Sequence, residues 1–137
     1  MSPKGWLVSA ALLGALSVGL GAFGAHGLPN WLASQELSQP ELDRRLANWE
    51  TAARYQMYHA LALLAVGWLA SRGVGISANV AGWCFEIGVL IFCGCLYLLV
   101  LSGVKILGAV VPFGGVLLII GWLALAVAAT KLPGGAK

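Results

Sequence analysis

Charge is what this sequence has least of. Acidic and basic side chains together make up 9% of its 137 residues, where an ordinary soluble domain carries about 25%. Histidine occurs twice and cysteine three times. Three cysteines are an odd number, and Cys84, Cys93 and Cys95 all fall in one apolar stretch, which excludes a disulfide framework. Cys93 and Cys95 are two residues apart and point in different directions on a helix. Inert core thiols, not metal ligands, are the expected reading. No H-E-x-x-H or paired C-x-x-C is present, and no nucleophile, base and acid stand at recognisable spacing. The expectation is therefore no catalytic residue, no metal and no cofactor. His26 and His59 differ in expected depth by more than two turns, too far to share one haem within a chain. The net charge of +3 is scattered and forms no basic stripe, so a nucleic-acid partner is not expected.

What the chain has instead is apolar length. Apolar residues make up 60% of it and the mean hydropathy is +0.89. The apolar runs are continuous, not alternating, which points to membrane helices and away from a barrel. Four are expected, over residues 5–26, 51–71, 80–103 and 106–130, in a single domain spanning 1–137. The fold class expected is all-α, an integral membrane four-helix bundle. The one extended polar region lies between the first two spans and holds Glu36, Glu41, Asp43 and Glu50 with Arg44 and Arg45. Ser38 followed by Glu41, with Pro40 in the first turn, is a capping-box pattern. Leu42, Leu46, Trp49 and Ala53 then recur at helical spacing. This predicts a short amphipathic surface helix over 39–50. Lys131 and the residues after it read as a short, mobile tail.

Glycine is abundant, with 19 residues, and the stretch from Gly14 to Gly27 is crowded with it. Ala11, Ala15 and Gly19 form one row on a helix, and Ser17, Gly21 and Ala25 another. Small residues four apart let helices approach closely in lipid. Gly14, Gly19, Gly21 and Ala25 are the expected packing face of the first span, and Gly114 and Gly115 that of the last. Pro112, just before them, is expected to kink the last span and free the Gly108 carbonyl.

Polar groups inside the spans are the site candidates. At a rise of ~1.5 Å per residue, with tryptophans Trp6, Trp68 and Trp83 at the interfaces, His59, Cys95 and Tyr97 fall at similar depth. His26 and Arg54 lie nearer the surface on the same side. A polar cluster of His26, Arg54, Tyr58, His59 and Tyr97 is therefore expected beneath the long connection. It would serve either to fix helix order or to bind a small hydrophobic or ionic ligand such as a lipid or quinone. Glu86 is an acid within a span, and Arg72 is its expected ion-pair partner, with Lys131 as the other candidate.

Four crossings put both termini on one face. Lys4, Arg72, Lys131 and Lys137 lie on it, against Arg44, Arg45, Arg54 and Lys105 on the other, a tie under the positive-inside rule. The bacterial inner membrane with cytoplasmic termini is the expected location.

Three stretches resemble a known family. Gly21-Ala22-Phe23-Gly24-Ala25-His26-Gly27, Trp49-Glu50-Thr51-Ala52 and Tyr55-Gln56-Met57-Tyr58-His59-Ala60-Leu61 are similar to the small YgdD-like membrane proteins. These are bacterial proteins of unknown function with mitochondrial transmembrane relatives. Where that family reads Phe-Ser-Gly-Ser-Leu-Tyr, this chain has Phe92-Cys93-Gly94-Cys95-Leu96-Tyr97. Where it reads Thr-Pro-Ile-Gly-Gly, the chain has Val111-Pro112-Phe113-Gly114-Gly115. Three hydroxyls are thus replaced, and any site they complete in relatives is drier here. The resemblance implies a four-helix inner-membrane protein and supplies no reaction. A structural or accessory protein that self-associates or joins a membrane complex is the expected role.

Overall fold

The computed structural model describes residues 1–132. The tail from Pro133 to Lys137 lies outside the described residues. The chain is all helical: α1 (Pro3–His26), α2 (Leu28–Ala33), α3 (Gln39–Ser71), α4 (Gly75–Ser102) and α5 (Leu107–Ala129). α1, α4 and α5 are each long and apolar enough to cross a membrane. Ser2 caps α1, its hydroxyl accepting the Gly5 amide at 3.1 Å, with Pro3 in the first turn.

The polar connection departs most from expectation. The surface helix and the second span are one helix, Gln39–Ser71, because no glycine or proline interrupts the chain between Pro40 and Gly67. Its 33 residues extend about 50 Å. Ser38 does occupy the N-cap, but its hydroxyl makes no cap bond, and the capping box does not form. Glu41 instead accepts from Arg45 at 2.9 Å and pairs with Arg44. α2 was not foreseen. It follows α1 after Gly27 alone, contains Pro29, and buries Leu28 and Leu32 against Trp49 and Val100.

The long helices pack in the order α1, α3, α4, α5. The turn before α4 is short, with Gly73 at φ 86°, and α4 ends at Gly103, φ 72°. Both are left-handed conformations that glycine adopts without penalty. α5 runs unbroken through Pro112. Local adjustment in a membrane helix accommodates the missing N–H.

The close-packing face also differs from the expected one. A side chain on Gly19 or Gly21 would meet nothing within 4 Å, and one on Gly14 only the Ala60 methyl at 3.9 Å. Ala11, Ala15, Gly19 and Ala25 are all exposed. On α5, Gly115 makes ordinary contact with Phe92. Gly114 is the true approach point, since a Cβ there would stand 2.5 Å from the Phe92 amide nitrogen. Elsewhere glycines receive large side chains. Gly82 accepts the Trp6 indole, Gly24 the Trp49 indole, Gly67 the Leu7 side chain, Gly88 Leu118 and Gly121 Phe85. The interior is assembled by knobs of one helix entering glycine notches of the next.

Candidate functional site

α1, α3 and α4 meet around Gln56, which is buried at 2% exposure. Its Nε2 donates to the Leu13 carbonyl of α1 at 3.0 Å, and its Oε1 accepts the Tyr97 hydroxyl of α4 at 3.1 Å. The Ala53 carbonyl, one turn earlier on α3, accepts the Ser17 hydroxyl at 2.8 Å. Another turn back, the Trp49 indole N–H donates to the Leu20 carbonyl at 2.8 Å. Trp49, Ala53 and Gln56 ascend α3 as Leu20, Ser17 and Leu13 descend α1, so the three bonds form an antiparallel ladder. The Trp49 ring lies edge-on to Tyr97 at 4.6 Å and to Phe23 at 5.4 Å. Each rung turns a polar side chain that lipid would penalise into a fastening between helices.

His59 stands apart from this ladder. Its Nδ1 lies 2.7 Å from the Tyr55 carbonyl and its Nε2 accepts the Trp122 indole N–H at 3.3 Å. Those two partners set the neutral tautomer with the proton on Nδ1. The ring also lies 5.5 Å from Phe85. His59 thereby ties α3 to α5.

The expected cluster of five does not assemble. His26 is exposed at the end of α1, and Arg54 is exposed and pairs with Glu50 at 2.6 Å. Tyr58 is half exposed and leans on Tyr55. Only His59 and Tyr97 turn inward, and they join different groups. Tyr97 lies level with Trp49 and Gln56, whereas His59 lies level with Phe85, 12 residues before Tyr97 on α4, and position along a helix does not fix direction around its axis. Trp49, Ala53, Gln56 and Ala60 form the inner stripe of α3, and Arg54 and Tyr58 lie off it. Gln56 was missed although it continues the Leu42, Leu46, Trp49, Ala53 stripe at the next helical step.

Glu86 does not pair with Arg72. It accepts the Ser9 hydroxyl of α1, while Arg72 lies over the Trp68 ring at 5.4 Å and Lys131 donates to Ser77. Arg72 caps α3 at the molecular end, whereas Glu86 is about 16 Å along α4 from its first residue. Arg45 was also missed as a structural cation. It is buried, and its guanidinium donates to the Val100 carbonyl at 3.1 Å, satisfying the end of α4. Its hydrogen bond to Glu41 holds that carboxyl below the usual carboxylate range.

α1 meets α4 at Trp6, whose indole donates to Asn79 at 2.7 Å and lies edge-on to Trp83 at 5.5 Å, and again at the Ser9 bond to Glu86. Further along they part, and a groove of about 340 Å³ opens between them. Leu13, Leu16 and Leu20 form one wall, Leu90 and Gly94 the other, with Gln56 and Tyr97 deep inside and Glu86 towards the Trp83 end.

Comparison with known proteins gives this architecture a family. Residues 20–115 match the model of a family described as protein of unknown function (DUF423). A UPF0382 membrane protein of Staphylococcus epidermidis is 46% identical over 131 residues, covering 96% of this chain and 99% of its own. One from Staphylococcus aureus (strain bovine RF122) is 44% identical over 131 residues, with the same coverage. The UPF0382 membrane protein YwdK of Bacillus subtilis is 43% identical over 129 residues, covering 93% and 98%. No solved structure matches. The match to the family model and the near full-length identity to these proteins mean that the chain belongs to the DUF423, or UPF0382, family of membrane proteins of unknown function.

Proposed function

We propose that this protein is a structural, accessory component of the bacterial inner membrane, a YgdD-like four-helix bundle that self-associates or joins a larger membrane complex. The observation that carries this reading is where the interior polar groups go. Ser17, Arg45, Trp49, Gln56, His59 and Tyr97 each bond to a neighbouring helix, which is the pattern of fastenings, not of a reaction centre.

A fourth crossing by α3 is supported by its partners. Trp49 fills the notch at Gly24 near one end of α1, and Gly67 receives Leu7 near the other. The intervening α3 segment rises about 27 Å, close to the ~30 Å hydrocarbon thickness. Four crossings leave both termini on one face. Lysine and arginine are evenly divided between the two faces, and the cytoplasmic side is the reading kept for the face with the termini.

The surface for assembly is the outward side of α1. Ala11, Ala15 and Gly19 form an exposed row there, and the space around Gly19 is open. A double change of Ala15→Leu and Gly19→Leu should leave the melting temperature in mild detergent unchanged. It should weaken association about tenfold, read as a shift from assembled to single-chain mass. Variants that assemble like the parent would refute this surface.

A further inference from the structure

The groove between α1 and α4 has features that no fastening role explains. It lies within the size range of small-molecule sites. Its walls are leucines whose outer edges are exposed, Leu90 at 73% and Leu16 at 54%, so the groove is open towards the surrounding lipid. Glu86 stands one turn beyond Trp83, near the interfacial end. Tyr97 is 11 positions further along α4, about 16 Å deeper. The site is thus long, narrow and apolar, with one acid at its shallow end.

Among the described residues the acid has no cation partner. The three ion pairs among the described residues all lie in the first half of α3 (Glu41 with Arg44, Glu41 with Arg45, Glu50 with Arg54). Among the described residues the one hydrogen-bond partner of Glu86 is the Ser9 hydroxyl, which bonds one carboxylate oxygen. A carboxylate at the rim of an apolar groove attracts a positive head and repels a negative one. Because it sits just inside the tryptophan level, the head must be small and joined directly to its tail. A phosphate between the two would be driven against the acid. The tail would follow the leucines towards Gly94, where a Cβ would meet nothing within 4 Å.

From this juxtaposition we propose that the α1–α4 groove binds a single-chain cationic amphiphile, its ammonium head on Glu86 and its alkyl tail along Leu13, Leu16 and Leu90. The binding site stands independently of the assembly surface, since Ala15 and Gly19 do not line it.

The test uses the full-length protein in phosphatidylcholine nanodiscs, with dodecylamine, dodecanol and dodecanoate as probes and native mass spectrometry as readout. The parent should retain one dodecylamine per chain, about tenfold more tightly than dodecanol, as a charged hydrogen bond exceeds a neutral one, and should not retain dodecanoate. Glu86→Gln should bring the amine down to the level of the alcohol. Gly94→Leu, whose Cβ would meet nothing within 4 Å and whose side chain would occupy the groove, should remove both. Equal retention of the three probes by the parent, retention of none, or amine retention unchanged in either variant would overturn the proposal. The last result would assign the amine to the bilayer. The ranking of the probes on the parent decides the matter even where a variant does not fold.

Discussion

Replacing Gly114 with alanine is expected to cost about 3 kcal/mol, the upper end of overpacking penalties, and replacing it with leucine should abolish the monodisperse folded protein. The reason lies in what the new atom meets. A Cβ at Gly114 would stand 2.5 Å from the Phe92 nitrogen and 2.9 Å from its Cα. Those are backbone atoms of α4, which cannot rotate out of the way as the Leu118 side chain opposite Gly88 can. α5 must lift away, and its other contacts go with it, including Phe85 of α4 in the Gly121 notch and the Trp122 bond to His59 of α3. The neighbouring Gly115→Ala is the control, since its Cβ would lie 3.7 Å from the Phe92 ring, an ordinary contact. Thermal melting and size-exclusion profiles in detergent check the pair. Equal behaviour of the two variants would show that α4 and α5 do not pack as described.

Trp49→Ala is expected to destabilise the protein by about 3–5 kcal/mol, as for other buried tryptophans. Trp49 is 3% exposed, fills the notch at Gly24, and packs on Phe23 and Tyr97. Its truncation removes dispersion contacts that lipid cannot replace inside a closed interface, together with the bond to Leu20. Trp49→Phe separates the two parts. It keeps a ring in the notch and loses the indole N–H, so it should cost only about 1 kcal/mol. Melting curves of the two variants measure the difference. A Trp49→Ala protein that melts within the error of the parent would remove the ladder from the list of what holds α1 to α3.

The apolar runs made α1, α4 and α5 legible, because a continuous span needs no partner to identify it. α3 was read as two pieces. Its composition changes near Glu50, from charged to apolar, but its backbone has no reason to stop there. α2 was hidden by Pro29, which reads equally as a stop and as a first-turn residue, although Leu28 and Leu32 are spaced as one buried face. The small-residue rows of α1 show the limit of pattern reading most clearly. Spacing identifies residues that share a side of a helix, and the neighbour decides which side is covered. Gly24, Gly82 and Gly88 are notches because Trp49, Trp6 and Leu118 happen to face them, and those partners come from distant parts of the chain. The same limit applies to the site. His59 and Tyr97 do turn inward but join different groups, and Gln56, which organises the interior, sits between Tyr55 and Tyr58 with no charge to draw attention. Glu86 was recognised as unusual, yet its partner was sought among cations, whereas Ser9 approaches it from α1.

The most direct test of the accessory role is the native mass of the protein released from its own membrane in the mildest detergent that extracts it. The chain alone weighs 14.2 kDa. The role proposed here predicts a reproducible larger mass, either a whole multiple of the chain or the chain together with another protein. A single-chain mass, unchanged across protein concentrations and detergents, would contradict it.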